Sequence, residues 1–411
     1  MNILMLLYKD IHYDARVQRE ALALANDGHR VYIACVREYA DNPPFSHKNI
    51  TLIRISISVK SAKSALSSGS SGKNRKKSSS LELLTKLVRN PYIKVIKDFA
   101  AYFEFYKKVL SAIKEIDVDA IHSHDLNTLW QGYLLRKVKK IPLIYDSHEL
   151  FNEMAGRNSI DRKIGYYMEE RLYKKVDFLI TVNDAMLSQF YKRYGKKEFV
   201  IVQNVPIYCE KLLADKDKRN YFRDTFSLKN NDVILIYQGG LSPHRGIELC
   251  ISAISKLPDE FKLVIVGQGI SESSLKSLTS EMKLNDRIFF HPQVPASDIL
   301  WYTSQGDIGL VMYQNTSLNN YYSTPNKIFE YMQAGIPCVA SDHPGKRYIV
   351  DNYKTGISTV ETVEAIAQSV LKIHSDYPYY RDNCIMAREI FTWENEKTGL
   401  LDLYTSINAD R

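Results

Sequence analysis

One stretch in the second half of the chain predicts a loop, a helix and a strand: Ser323-Thr-Pro-Asn-Lys-Ile-Phe-Glu-Tyr-Met-Gln-Ala-Gly-Ile-Pro-Cys-Val-Ala-Ser341. Pro325 favours an extended loop, and Gly335 followed by a proline ends the helix. Lys327 in the first helical turn suits an anionic phosphate, and Glu330 one turn later can accept hydrogen bonds from ribose hydroxyls. The alternative is an ordinary loop-helix-strand unit of a parallel sheet.

A second pattern lies upstream and also suits a phosphate. A continuous apolar run, Val233-Ile-Leu-Ile-Tyr237, predicts a strand buried on both faces. It is followed by Gln238-Gly-Gly-Leu-Ser-Pro-His-Arg-Gly-Ile-Glu-Leu249. Gly239 and Gly240 let the backbone approach a ligand closely, and Arg245 stands where the next helix opens. A glycine-rich turn is weak evidence alone, but the pair of patterns is specific.

Together these two segments resemble the nucleotide-sugar site of glycosyltransferase family 4, a retaining group with the GT-B fold. The resemblance implies a donor site made by seven residues: Gly239, Gly240, Arg245, Pro325, Asn326, Lys327 and Glu330. Within it, Arg245 and Lys327 would hold the pyrophosphate, and Glu330 the ribose. The Ser/Thr-Pro-Asn-Lys form of the loop is similar to that of bacterial members that build surface polysaccharides.

The chain departs from the family pattern at three positions. Arg245 replaces the usual lysine, and a guanidinium still grips phosphate in a bidentate manner. Leu241 stands where an additional arginine is common. The first of the family's two glutamates falls on Tyr322, which cannot act as a carboxylate, so no glutamate is assigned to the donor sugar.

The chain has 411 residues, which fits two domains of about 200 residues each. Apolar strands alternate with helical segments through both halves, which predicts parallel sheets. The predicted fold class is therefore α/β, and the resemblance implies GT-B, with two Rossmann-like doubly wound domains facing an interdomain cleft. We expect an acceptor-binding domain over residues 1–205, a donor-binding domain over 206–390, and a helix over 391–411 that crosses back to the first domain.

Polar residues end two strands of the first half. His122-Ser-His124-Asp125 and Tyr145-Asp-Ser-His148-Glu149 lie where parallel sheets place ligand-binding residues. Strand alternation puts His122 and His124 on one face. Because the family has acceptor-side histidines here, we assign His124, His148 and Glu149 as catalytic candidates that orient the acceptor or the donor sugar. Buried side chains that only orient loops are the alternative. The first strand-to-helix loop lacks the family's glycine pair, and Arg16 is a candidate to replace its phosphate contact.

The implied reaction is transfer of a sugar, as by a hexosyltransferase, from a nucleoside diphosphate to a hydroxyl of a glycan or lipid-linked acceptor. Fixed cations at the departing pyrophosphate supply the main catalytic effect. No acidic pair has convincing metal spacing, so we predict no metal and no cofactor beyond the donor substrate. Two other functions remain open: a sugar-nucleotide epimerase of GT-B fold, and a non-catalytic glycosyltransferase-like subunit.

Composition indicates a globular cytoplasmic protein. Apolar residues make up 45% of the chain and charged residues 25%, and the five cysteines are scattered without metal-ligand spacing. The N-terminal apolar run is too short for a signal peptide, and no stretch is long enough to span a bilayer.

The net charge of +8 can arise from residues 58–97 alone, which hold ten basic residues and a single acidic one, Glu82. This segment predicts either a peripheral contact with the anionic inner face of the cell membrane or a solvated loop and helix. No recognition motif supports nucleic-acid binding.

Overall fold

The structure is a computed structural model that describes residues 1–38, 46–58, 91–154, 156–208 and 220–409. Their contacts divide the chain into two compact units. Unit 1 consists of Met1–Thr181, Ser188–Val202 and Lys397–Arg411. Unit 2 consists of Val182–Leu187 and Gln203–Glu396. The last stretch of the chain therefore groups with the N-terminal sheet.

Unit 1 is built on a sheet of seven strands in the order β3-β2-β1-β4-β5-β6-β7. The strands are β1 Asn2–Leu7, β2 Arg30–Val36, β3 Ile50–Ile55, β4 Ala120–His124, β5 Leu143–Ser147, β6 Phe178–Thr181 and β7 Glu198–Ile201. Its helices are Ala15–Asn26, Pro91–Ala112, Leu126–Lys139 and Ser159–Tyr173. Two helices, Asp184–Tyr194 and Trp393–Ala409, begin in unit 2 and end in unit 1.

Unit 2 is built on a sheet of six strands in the order β10-β9-β8-β11-β12-β13. The strands are β8 Val233–Gln238, β9 Phe261–Val266, β10 Ile288–His291, β11 Ile308–Val311, β12 Cys338–Ser341 and β13 Gly356–Thr359. The helices are Tyr221–Phe226, Ile247–Ile254, Glu272–Glu281, Ile299–Thr303, Leu318–Tyr322, Asn326–Ala334, Pro344–Val350, Val363–Ser375 and Tyr377–Ile390.

The predicted parallel α/β architecture is confirmed. Within the described ranges every strand pair of both sheets is parallel. In each sheet the strand order reverses beside the first strand of the unit, β1 or β8, which is the doubly wound pattern. All of β8 is buried, as its continuous apolar run predicts.

Two strands differ from the sequence-based expectation because neither was predicted. β3 is an edge strand of partly exposed residues that include Thr51 and Arg54, so it lacks an apolar run. β13 is a four-residue edge strand that begins at Gly356 and has no continuous apolar pattern. Both are added at sheet edges, where burial of both faces is not required.

Most of the predicted basic segment 58–97 lies outside the described residues, which resume with the helix Pro91–Ala112. Cys209 also lies outside them. The other cysteines, Cys35, Cys250, Cys338 and Cys384, are buried free thiols. A search of the described helices for a long apolar membrane span found none.

Candidate active site

The two phosphate-type motifs of unit 2 meet at the end of β8. Gly239 has a φ of +113°, and a Cβ placed on it would lie 3.3 Å from Lys327 Nζ. A Cβ on Gly267, which follows β9, would lie 2.0 Å from the carbonyl oxygen of Gly239. Because Gly239 has no side chain, it leaves room for the side chain of Lys327. Residues that are far apart in the sequence therefore come together at one site.

Lys327 is buried at the start of the helix Asn326–Ala334. Its Nζ donates to the hydroxyl of Tyr313 at 3.3 Å and lies 4.6 Å from the ring centroid of Tyr237. Ile328, Phe329 and Met332 of the same helix are buried, and Gly335 ends it with a φ of +72°. The Lys327 ammonium is thus in contact with two tyrosine side chains.

Three basic side chains surround the Tyr313 ring. The Arg245 guanidinium lies 4.3 Å from the ring centroid, Lys327 Nζ 5.1 Å and Lys346 Nζ 5.4 Å. In the part of the chain that the structure describes, none of these cations contacts a carboxylate. Such a concentration of positive charge without acidic partners suits a multiply charged anion.

Glu330 is oriented by a residue that the sequence analysis did not single out. Gln238, the last residue of β8, donates from Nε2 to Glu330 Oε2 at 2.5 Å. Its carbonyl Oε1 accepts from the hydroxyl of Thr303 at 2.7 Å. In the sequence, the only indication of this role for Gln238 is its position as an amide residue at the end of an apolar strand. Nothing in the sequence indicates that Lys346, Tyr237 and Tyr313 belong to this site, because an isolated aromatic or basic residue forms no motif.

The loop before this helix is fixed by hydrogen bonds. Pro325 is extended, with φ −66° and ψ 143°, and caps the helix. Asn326 Oδ1 accepts from Asn204 at 2.7 Å. Thr324 Oγ1 donates to the Gly345 carbonyl at 2.6 Å, and Asn183 donates to the Tyr322 carbonyl at 2.9 Å. Gly240, by contrast, has open space beside it.

In unit 1, three imidazoles converge on one carboxylate oxygen at the carboxyl ends of β4 and β5. Asp146 Oδ2 lies 3.4 Å from His122 Nε2, 3.4 Å from His124 Nδ1 and 3.0 Å from His148 Nε2. The His122 and His124 rings stack with centroids 4.3 Å apart, as expected for side chains on one strand face. His122 Nδ1 also lies 2.9 Å from the Tyr404 hydroxyl.

Arg16 serves this cluster rather than a phosphate. It is buried, and its guanidinium contacts Asp146 Oδ1 at 3.0 Å and Glu20 Oε1 at 2.9 Å. Its Nη1 donates to the Val202 carbonyl at 2.5 Å. Since its donors are turned towards these internal acceptors, the suggestion that Arg16 replaces the missing glycine pair at a phosphate is not supported by its position.

The three histidines differ in protonation. Burial and the neighbouring His122 lower the pKa of His124 to about 3, so this ring is neutral. Burial also lowers the pKa of His148, but Asp146 and Asp125 outweigh it and raise that pKa to about 9. His148 is partly exposed whereas His124 is fully buried, so His148 is the one that presents a cation to solvent. Glu149 is half-buried, and its carbonyl accepts from the Ser147 hydroxyl at 2.8 Å.

Four side chains here have the chemistry to hold a metal ion: Glu20, His122, His124 and Asp146, with ligand atoms within 4.8 Å of one another. The Arg16 guanidinium already contacts both carboxylates. Burial raises the pKa of Glu20 to about 8, so this carboxyl is mostly protonated at neutral pH. Asp146 is therefore the ionised carboxylate of this group, and Arg16 and His148 are the cations in contact with it.

Comparisons with known proteins agree with this architecture. The model for "Glycosyltransferase Family 4" matches residues 15–205, and the model for "Glycosyl transferases group 1" matches residues 218–389. Between them they cover most of the chain, and the chain belongs to the family 4 type of glycosyltransferase. The enzyme class follows from that membership.

Individual relatives are distant. An uncharacterised glycosyltransferase of Methanocaldococcus jannaschii is 23% identical over 73% of this chain and 78% of its own length. The amylovoran biosynthesis glycosyltransferase AmsK of Erwinia amylovora is 24% identical over 36% of this chain and 39% of its own length.

Solved structures confirm the GT-B fold. Sucrose-phosphate synthase from Thermosynechococcus elongatus superposes with a TM-score of 0.76 at 18% identity, with both chains fully covered. Anabaena HepE, solved in complex with UDP and glucose, gives a TM-score of 0.71 at 16% identity and covers 99% of this chain and 100% of its own.

The charge of His148 can be measured. We expect an NMR titration of its imidazole to give a pKa of about 9. Asp146→Asn should bring this pKa below the ordinary value of about 6.5, because burial then dominates. Asp125→Asn, which removes a carboxylate 3.9 Å away instead of 3.0 Å, should lower it less.

The sign for stability follows from the same pKa. Because it is higher in the folded state, His148 stabilises the fold fully below about pH 6.5, and this contribution is lost as pH rises through about 9. A wild-type His148 that titrates at or below pH 6.5 would contradict this description of the cluster.

Proposed function

We propose that this glycosyltransferase moves a hexose from a nucleoside-diphosphate sugar to an acceptor hydroxyl with retention of configuration. The proposal depends above all on the group of Arg245, Lys327 and Lys346 around Tyr313, none of which is in direct contact with a carboxylate among the described residues. A diphosphate supplies the missing negative charge. The complex of the structurally similar HepE with UDP and glucose supports the same ligand class.

In this reaction the bond from the anomeric carbon to the diphosphate breaks as the acceptor oxygen bonds to that carbon. The acceptor proton leaves with the diphosphate. Negative charge grows on the departing diphosphate, so Arg245 and Lys327 stabilise the transition state more than the ground state. Glu330, oriented by Gln238, would accept hydrogen bonds from the ribose hydroxyls.

On the acceptor side we assign His148 to contact the acceptor, with Asp146 and the neutral His124 behind it. A cation partly open to solvent can bind an acceptor oxygen or a sugar hydroxyl, whereas the buried His124 holds Asp146 from the other side. Glu149 remains a candidate at the same strand end. Similarity to AmsK, together with the Ser-Thr-Pro-Asn-Lys form of the loop, favours an acceptor of polysaccharide or glycolipid biosynthesis.

The donor site has a direct test. Arg245→Ala and Lys327→Ala should each lower kcat/KM, by an amount that corresponds to a loss of about 2–4 kcal/mol of transition-state stabilisation. Glu330→Ala should weaken nucleotide binding more than turnover, because ribose contacts change little during reaction. Arg347→Ala, which removes an exposed arginine of the same unit paired with Asp342, is the matched control and should keep wild-type kinetics.

Hydrolysis of a panel of nucleotide sugars serves as the assay. Release of the nucleoside diphosphate identifies a transferase, whereas conversion of the sugar identifies an epimerase and no change identifies a non-catalytic subunit. Full turnover by both basic variants at saturating donor would refute the assigned site.

Metal independence is a further part of the proposal, because Arg245 and Lys327 would neutralise the diphosphate in place of a divalent ion. We expect the initial rate to be unchanged after treatment with EDTA and to show no increase on addition of Mg²⁺ or Mn²⁺. Loss of activity in EDTA that either ion restores would refute this prediction.

We also propose a peripheral contact with anionic membrane through residues 58–97 and the helix that continues them. In the described part of that helix, Ile96, Phe99 and Phe103 are exposed, and Lys107 Nζ lies 4.8 Å from the Phe103 ring centroid. Apolar side chains beside lysines suit shallow insertion next to anionic headgroups.

Liposome flotation tests the membrane contact. Changing Arg75, Lys76 and Lys77 to serine should reduce flotation with anionic vesicles while donor hydrolysis stays constant, since each basic residue contributes about 1 kcal/mol near such a surface. The same charge change at the exposed Lys256, Lys276 and Lys283 of unit 2 should have no effect. Equal flotation with neutral and anionic vesicles would indicate a solvated segment instead.

A further inference from the structure

Lys346 is a completely buried lysine close to the proposed donor site. It lies in the helix Pro344–Val350, and its Nζ donates to the carbonyls of Asn320 at 2.6 Å and Ser323 at 3.2 Å. Nδ1 of His343 lies 3.4 Å from the same nitrogen. All three partners are neutral. An ammonium buried among neutral acceptors is stable only if hydrogen bonds replace its hydration, and here they tie it to a particular loop.

That loop leads into the donor-site helix. Asn320 lies in the helix Leu318–Tyr322, and Ser323 follows that helix just before Pro325; Thr324 donates back to the carbonyl of Gly345, the residue before Lys346. The charged form of Lys346 therefore donates hydrogen bonds to the carbonyls of Asn320 and Ser323, which precede the loop to the donor-site helix. A neutral amine would bind them more weakly, because a charge-assisted hydrogen bond is about twice as strong as a neutral one.

The surroundings of Lys346 make its charge sensitive to a nearby anion. The groups that face it are His343, Tyr313, Arg245 and Glu361, whose carboxylate lies 2.6 Å from Nε2 of His343. Burial lowers the pKa of Lys346 to about 7, with Arg245 adding to the decrease and Glu361 opposing it. Tyr321 contacts the His343 ring, and Lys327 shares the Tyr313 ring.

We propose that Lys346 is a positioning residue of the donor site that takes up a proton when a nucleoside diphosphate binds at Arg245 and Lys327, and that its ammonium then holds the Ser323–Lys327 loop in place. The proton comes from solvent, and no covalent bond changes. The inference rests on the proposed donor site, because the diphosphate is the anion that offsets the repulsion from Arg245. It adds a residue and a coupling that the site motifs do not contain.

The sign of the pH effect follows from linkage. Above about pH 7 most of the free protein has a neutral Lys346, so binding requires uptake of a proton. Affinity for the diphosphate should therefore fall as pH rises, by up to about tenfold per pH unit until the pKa in the complex is reached. Below pH 7 the side chain is already charged and the dependence should flatten.

Calorimetric titration measures the uptake. The ligand is UDP, GDP or ADP, whichever raises the Tm of the wild type most, and the titrations are run at pH 8 in two non-phosphate buffers of different ionisation enthalpy. At this pH the free diphosphate is ionised, so it contributes no proton itself. We expect the wild type to take up about 0.5–0.9 proton per bound diphosphate.

Two variants identify the group that is protonated. Lys346→Arg carries a permanent charge, so it should bind at pH 8 at least as tightly as the wild type with uptake near zero. Lys346→Met should bind more weakly, with uptake near zero and an affinity that is flat between pH 7 and pH 9. Lys372→Met, at an exposed helix position of the same unit, should retain the wild-type uptake.

The outcomes separate the two proposals. If none of the diphosphates binds the wild type, the donor site and the role of Lys346 are both wrong. If a diphosphate binds without proton uptake, or if Lys346→Arg retains the full uptake, the donor site stands and the inference about Lys346 is overturned. Should Lys346→Met fail to fold, the wild type and Lys346→Arg still decide the question.

Discussion

Unit 2 encloses a buried ammonium, that of Lys327, which contacts no carboxylate among the residues that the structure describes. Lys327 lies against Gly239 on one side and the phenol rings of Tyr237 and Tyr313 on the other. Any side chain at position 239 would compete for its space, and a carboxylate beside it would cancel its charge. The glycine turn after β8 leaves room for this ammonium, and the hydroxyl of Tyr313 and the ring of Tyr237 replace part of its lost hydration.

In unit 1 the buried charge has the opposite sign. There a carboxylate is buried, and Asp146 is compensated from two directions, by Arg16 on one oxygen and by three imidazoles on the other. The resulting cluster sorts its histidines by environment. His124 is kept neutral, whereas His148 keeps a charge at the protein surface. Two histidines whose ring centroids lie 5.3 Å apart thus have different protonation states, as expected when burial and nearby charges act in opposite directions on a pKa.

The sequence predicted those parts of the fold that depend on local patterns. Alternating apolar strands and helices gave the parallel sheets, and glycine and proline positions gave the ends of the helix Asn326–Ala334. Strand alternation predicted the stacking of His122 on His124. The edge strands β3 and β13 escaped because an edge needs no continuous apolar run. Gln238, Tyr313 and Lys346 escaped because their importance comes from three-dimensional proximity alone. The phosphate role suggested for Arg16 is not supported for the same reason, since no pattern in the sequence indicates that Asp146 lies beside it.

The C-terminal helix Trp393–Ala409 has a consequence for how the chain is made. Tyr404 is buried beside His122, and the residues from Lys397 onwards group with a sheet whose strands all lie before residue 202. During synthesis from the N-terminus, the ribosome must therefore complete all of unit 2 before the last element of unit 1 exists. All strands of the N-terminal sheet are synthesised before those of unit 2, but His122 lacks its contact with Tyr404 until the last helix exists. Unit 1 can therefore complete its packing only after the ribosome has synthesised all of unit 2, although its own sheet is made first.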